Sequence, residues 1–158
     1  MNMIKELDLE DIYIRHPYVY KGKKSLDLNL FRNKILFKQK TEKSKFFRYK
    51  TKFIIVDVEN SLHYKYLENK EIYFKYYSKY ILDTNQEHEH SIFKFDKLYN
   101  EFNLDKLLNN RIKLHPFYIN RKQLYIVNDG AHRLSIYKKK YGNFINEIFI
   151  EKIDDFYL

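Results

Sequence analysis

An aspartate, a glycine, a histidine and an arginine fall within the run Asp129-Gly130-Ala131-His132-Arg133, directly after the apolar stretch LYIVN at 124–128. The pattern reads as a strand, a tight turn and the start of a helix. Gly130 has no side chain, so a ligand can approach its backbone closely. Ala131 keeps the entrance narrow. The unpaired N–H groups of a first helical turn point outward there, and the helix dipole favours negative charge at that end. His132 adds a titratable donor, and Arg133 adds a permanent planar fork suited to phosphate. Asp129 can cap the helix or hold a magnesium ion. The competing reading is an ordinary capped helix with an exposed His-Arg pair.

A second cluster lies at 86–91, QEHEHS, where Glu87, His88, Glu89, His90 and Ser91 are adjacent. Three roles fit it. Glu89 or His90 can serve as a general base, the alternating His and Glu can bind a divalent metal, or the run is a solvated polar loop. Asp57 and Glu59 follow the apolar run FIIVDV and are second-tier candidates, because strand ends often line active sites in α/β folds. Acids also suit a helix start. His16 and His115 each precede a proline, a context of extended chain rather than catalysis, and His63 is expected at a surface or core edge.

The elements that must position these residues follow from periodicity. Residues 11–58 read as β-rich, with strand-like spacing in DIYIRHPYVY, FRNKILFKQ and KFFRYKTKFIIVDV. No glycine or proline interrupts 61–82, and Leu62, Tyr66, Tyr73, Tyr76, Tyr77 and Tyr80 recur at near-helical spacing. That segment is predicted as one long amphipathic helix, capped by Asn60 or Ser61. The polar stretch 83–90 is a loop, and Ser91 caps a second helix over SIFKFDKLYNEF. IKLHPFYI at 112–119 is a strand whose Pro116 suits an edge. LYIVN is the next strand, AHRLSIYKKKY is a helix ended by Gly142, and NEIFIEKI at 146–153 is the last strand. Three lysines, Lys138–Lys140, complement the dipole at the helix end. The whole is expected to be one compact α+β domain over 1–158.

Composition narrows the chemistry. The 158 residues contain no cysteine, which excludes disulfides, thiolate catalysis and Cys-based zinc sites. A net charge of +9 points to an anionic partner, although an AT-rich coding bias toward lysine produces the same excess. The 16 Tyr and 13 Phe are expected to be mostly core, with a base-stacking surface as the alternative. No apolar run approaches the ~20 residues of a membrane span, and MNMIKELDLEDIYI lacks the features of a secretion signal. The expectation is a cytoplasmic protein with no membrane partner.

With these surroundings, IVNDGAHRLSIYKKKYGNFINEIFI resembles the signature of the ParB/sulfiredoxin-like superfamily: a strand, a D-G-x-H-R-type turn, a helix ending in glycine, and a strand. The resemblance covers about 112–151; the half over 1–111 is elaborated. It implies a mixed sheet with flanking helices and a nucleotide whose phosphates lie on Gly130, Ala131, His132 and Arg133. Sulfiredoxin chemistry is excluded, since that enzyme needs a cysteine where this chain has Ala131. The DNA-segregating members carry a helix-turn-helix region downstream, for which no room is expected before Leu158. The members that phosphorylate a small hydroxyl compound, such as the free-serine kinases, fit best. That resemblance implies a kinase with Mg2+ on Asp129, ATP (or ADP or CTP) as phosphoryl donor, and Glu89 or His90 as base, with Ser91 as a cap or phosphate contact. EHSIFKFDKLYNEF is similar to a helix upstream of the motif in small ParB-like proteins of surface-polysaccharide gene clusters. The alternatives are a ParB-like nucleic-acid binder or nuclease, and a nucleotide-binding protein without turnover.

Overall fold

The computed structural model describes residues 2–4, 6–40, 50–84, 86 and 91–156. They form an α+β fold in which helices cover one face of a mixed sheet. The strands are β1 (Asn2–Ile4), β2 (Leu7–Asp8), β3 (Ile12–Tyr20), β4 (Lys23–Lys24), β5 (Phe37–Lys40), β6 (Lys52–Asp57), β7 (Ile112–Ile119), β8 (Lys122–Asp129), β9 (Phe144–Ile145) and β10 (Ile148–Lys152). The helices are α1 (Leu62–Glu68), α2 (Lys70–Asp83), α3 (Ile92–Glu101), α4 (Leu104–Asn109) and α5 (Ala131–Tyr141). Among the described residues no helix is long and apolar enough to cross a membrane.

The main sheet has the order β1-β10-β7-β8-β3-β6-β5, with β4 on β3. Period-two alternation sorts its side chains. Ile12, Ile14, Ile54, Val56, Ile112 and Leu114 enter the large core beneath the helices, whereas Ile55, Phe117, Leu124 and Ile126 form a smaller cluster on the other face. β7 and β8 make a long antiparallel hairpin. Its two-residue turn, Asn120-Arg121, has φ of 51° and 66°, the conformation that matches strand twist.

β3 and β8 are joined differently. They run parallel, and their pairing is limited to Ile12↔Tyr125 and Tyr13↔Ile126. Beyond that point β3 stays on β6 and β8 stays on β7, so a seam opens in the sheet toward the carboxyl ends of both strands. The β7–β8 register also slips there, from Leu114↔Val127 to Lys113↔Asp129. Asn128 is the extra residue, and such a bulge re-aims a side chain.

Three expectations change. The segment 61–82 is two helices, because Asn69 leaves helical geometry (φ −147°, ψ 84°) and its side chain accepts from Ile72 N–H to cap α2. Ser61 caps α1 by accepting from Tyr64 N–H, as expected of one of the two candidates. The strand containing Pro116 is interior rather than an edge. Its ladder with β10 ends at Leu114, and the Pro116 carbonyl accepts from Phe156 N–H, so the missing proline N–H falls where no ladder bond is needed. α4 was not foreseen.

Candidate functional site

β8 ends at Asp129 and α5 starts at Ala131, so Gly130 alone makes the turn. Its φ is +119°, a conformation L side chains rarely adopt, and a Cβ there would meet Ile112 Cδ1 at 2.4 Å. The atoms a Cβ would meet belong to the buried Ile112 side chain of the neighbouring β7, which would have to shift. Gly130 is the N-cap and offers no side-chain bond, while its carbonyl accepts from Leu134 N–H. The N–H groups of Ala131, His132 and Arg133 therefore precede the first intrahelical bond, and the dipole of this 11-residue helix adds to them. Asp129 does not cap the helix. Its carboxylate, more than half exposed, lies instead 3.7 Å from the Arg133 guanidinium, one turn on.

A cleft of about 250 Å³ opens in front of this turn. Ser91, Lys94 and Phe95 of the α3 start form one wall; Gly130, His132 and Arg133 form the other. The Ser91 hydroxyl accepts from Lys94 N–H, so the serine is a helix cap at the rim. The Arg133 side chain is only 12% exposed and donates to the Asn110 carbonyl at the end of α4. Burial lowers its pKa and Asp129 opposes that; an arginine remains cationic throughout the accessible range. The fork is thus held in place before any ligand arrives.

His132 faces the core as well as the cleft. Its Nε2 is 2.7 Å from the Tyr77 hydroxyl, and its ring meets His63 (4.3 Å, 90°) and Phe95 (4.7 Å, 84°) edge-on. His63 stacks in turn on His16 (5.2 Å, 16°). His16 is fully buried, and its Nε2 accepts from Leu62 N–H, capping α1 from across the core. The proton is then on Nδ1, which faces the Tyr80 hydroxyl at 3.2 Å. Burial holds this ring neutral, with its pKa lowered to about 3. Three histidines far apart in sequence thus couple β3, α1, α3 and α5 directly behind the glycine turn. His63 is buried, where a surface or core-edge position was expected.

The sequence candidates separate accordingly. Asp129, Gly130, Ala131, His132, Arg133 and Ser91 come together, with Ala131 lining an adjoining hollow with Gly130, His63 and Arg15. Glu89 and His90 lie outside the described residues. Asp57 and Glu59 are elsewhere. β6 runs antiparallel to β3, with Tyr13 opposite Asp57, so the end of β6 lies beside the start of β3 and away from the seam. Asp57 instead holds the Asn60 amide, and Glu59 is exposed in a 3-10 turn. Among the described residues no group of three or more His, Cys, Asp or Glu converges as a metal centre.

Sequence reasoning missed Lys94, Asn110, Arg15 and Asn128. Lys94 had a signal, since it falls one turn after the Ser91 cap. Asn128 had none, because a bulge depends on the partner strand. No protein-family model, curated protein or solved structure matches the chain.

Proposed function

We propose that the chain binds the phosphates of a nucleotide at the first turn of α5 and transfers a phosphoryl group to a hydroxyl of a small metabolite. The observation that carries this reading is the uncapped start of α5, with Arg133 pre-positioned beside it and Lys94 across a cleft of about 250 Å³. Phosphoryl transfer asks a protein for positioning and charge neutralisation, and backbone N–H groups with a fixed guanidinium supply both. Arg133 binds phosphate oxygens with the edge not given to Asn110. The Ser91 hydroxyl, already an acceptor at the α3 cap, has its own proton to donate at the rim. Glu89 or His90, next to it in sequence, takes the proton of the acceptor hydroxyl as its oxygen attacks the terminal phosphorus. The bond from that phosphorus to the bridging oxygen breaks, and the nucleotide leaves one phosphate shorter, keeping the electron pair on that oxygen.

Asp129 fits a magnesium ion, because Mg2+ is commonly held by one or two carboxylates together with substrate phosphates, and this carboxylate is accessible at the cleft. Bound there, the ion would neutralise charge on the transferring group. The Asp129–Arg133 separation of 3.7 Å is loose enough for the exposed Asp129 carboxylate to turn toward a ligand while Arg133 stays in place.

Thermal unfolding with and without Mg2+ plus ATP, ADP or CTP tests the reading. A nucleotide at 100 times its Kd adds about 2.7 kcal/mol, or roughly 5–10 °C in a domain of this size. Arg133→Ala abolishes that shift if the proposal holds. A shift of equal size in the variant refutes it.

A nucleic-acid partner is favoured by a different observation. The cleft continues through two further hollows past Arg15 to His115, and the chain carries +9. In that case affinity for a single-stranded oligonucleotide falls steeply with salt.

A further inference from the structure

The seam between β3 and β8 contains an exposed cation, Arg15, with which no acidic group among the described residues pairs. Arg15 reaches into a hollow of about 300 Å³, whose walls include Phe53, Tyr80, Gln86, His115 and Asn128. Its guanidinium carbon lies 4.3 Å from the Phe53 ring centroid and 5.8 Å from that of Phe156. Aromatic faces hold a guanidinium plane but leave its N–H edge without an acceptor. Among the described residues no hydrogen bond or ion pair uses Arg15, and no aspartate or glutamate lines this hollow. Arg15 is exposed as a residue, the part of its guanidinium that enters the hollow has its pKa lowered by burial, and among the described residues no carboxylate pairs with it.

The polar groups that line this hollow beside Arg15 are amides, hydroxyls and an imidazole, and the Asp129 carboxylate lines the adjoining hollow that Arg15 also reaches. His115 Nδ1 donates to the Asp154 carbonyl, so Nε2 accepts from the Asn128 amide at 3.3 Å. The bulge that extrudes Asn128 thus points its amide at the hollow, and Gln86 is bonded to the Tyr80 hydroxyl on the opposite wall. A planar two-pronged donor among neutral polar groups matches an oxyanion.

We propose that the seam between β3 and β8 is a second oxyanion site, in which the N–H edge of Arg15 takes the carboxylate or phosphate of a small ligand. It requires nothing to be bound at α5. The two sites do share a wall, because Asn128, Asp129 and Gly130 line the hollow that connects them. A ligand with two anionic groups has a place for each.

Proton–nitrogen NMR of the full chain, including the arginine Nε–H region, tests this in separate titrations with inorganic phosphate and with acetate, against sodium chloride at equal ionic strength. Saturable shifts are expected at Arg15 Nε–H and the Asn128 amide with at least one of the two anions. Saturation by acetate alone identifies a carboxylate site, and saturation by phosphate alone a phosphate site. Arg15→Gln weakens that isotherm about tenfold or more, whereas Arg133→Ala leaves it in place. If Arg15→Gln does not fold, Arg15→Lys, which keeps the charge and loses the planar fork, reads the same loss. Shifts at Arg15 no larger than those with chloride, or an isotherm unchanged in the Arg15 variant, overturn the proposal. Saturation at Arg15 without any at Gly130–Arg133 would remove the α5 reading and leave this one standing.

Discussion

Replacing Gly130 by alanine tests the strand-to-helix turn on which the candidate site is built. Two costs combine. The backbone at φ +119°, ψ 10° is sparsely populated by residues with a Cβ, which costs of order 1–3 kcal/mol. The new Cβ also falls 2.4 Å from Ile112 Cδ1, in a side chain with no exposed surface, and forcing such a core apart costs typically 1–3 kcal/mol. About 4 kcal/mol is the central expectation, or a fall of roughly 8–16 °C in Tm. The chain has no tryptophan and 16 tyrosines, so urea unfolding is followed by circular dichroism and tyrosine fluorescence. Ile112→Val separates the two costs, because it removes Cδ1 and leaves the Cγ atoms, which are 3.3 and 3.4 Å from the added Cβ. Alone it costs about 0.5–1.5 kcal/mol. In the double variant the steric part is relieved, so the pair should be more stable than the sum of the singles by about 1 kcal/mol or more. A Gly130→Ala cost below about 1 kcal/mol, or additivity within about 0.5 kcal/mol, would refute the reasoning.

Other expectations follow from the same geometry. His16 titrates near 3 when folded and near its ordinary 6.5 when unfolded, so its contribution to stability is complete above pH 6.5. It declines by up to about 1.4 kcal/mol per pH unit as pH falls toward 3. His16→Gln should flatten that slope in urea titrations from pH 7 to 4; an unchanged slope would assign it to other groups. Ser61→Ala, which removes a buried cap bonded to Tyr64 N–H and Val58 carbonyl, should cost about 1–2 kcal/mol in equilibrium unfolding. Ser91→Ala should cost about 1 kcal/mol or less, because that cap is only half-buried. For Asp83, burial works against ionisation, but Lys23 and Lys79 hold its carboxyl below the ordinary range. Asp83→Asn should therefore lose more stability at pH 7 than at pH 2, and equal losses at both would show the ion pairs to be inert.

The local features of the candidate turn were legible because they depend on adjacent residues. Gly130 as breaker, α5 over 131–141 and Gly142 as its stop all follow from rules that look a few positions along the chain, and the structure places them as read. Ser91 as cap belongs to the same class. The errors have a common cause. A helix over 61–82 satisfied periodicity, but periodicity cannot see that Asn69 competes with its own backbone by capping the next turn. His16 looked like extended chain before proline, and it is extended; what makes it matter is Leu62, on a helix that packs there only in the folded state. Asp57 ends a strand as read, and the direction of β6 relative to β3 puts that end away from the seam. Arg15 and Asn128 acquire meaning only from the seam, which is a property of strand order.

That seam has a kinetic side. The sheet is two blocks, β1-β10-β7-β8 and β3-β6-β5, and in the sheet itself the register Ile12↔Tyr125 and Tyr13↔Ile126 is all that joins them. The joining partners come from opposite ends of the sequence, and contacts of that separation slow folding because the intervening chain must be ordered first. The hairpin of β7 and β8 is local and can form early, whereas the junction must wait for both blocks. Amide protons of Tyr13 and Ile126 should accordingly exchange through smaller openings than those in the middle of the β7–β8 ladder. Any shear along this line would widen or narrow the hollow around Arg15 while leaving the hydrogen bonds within each block intact, and the helices and the core beneath the sheet, which span both blocks, oppose it.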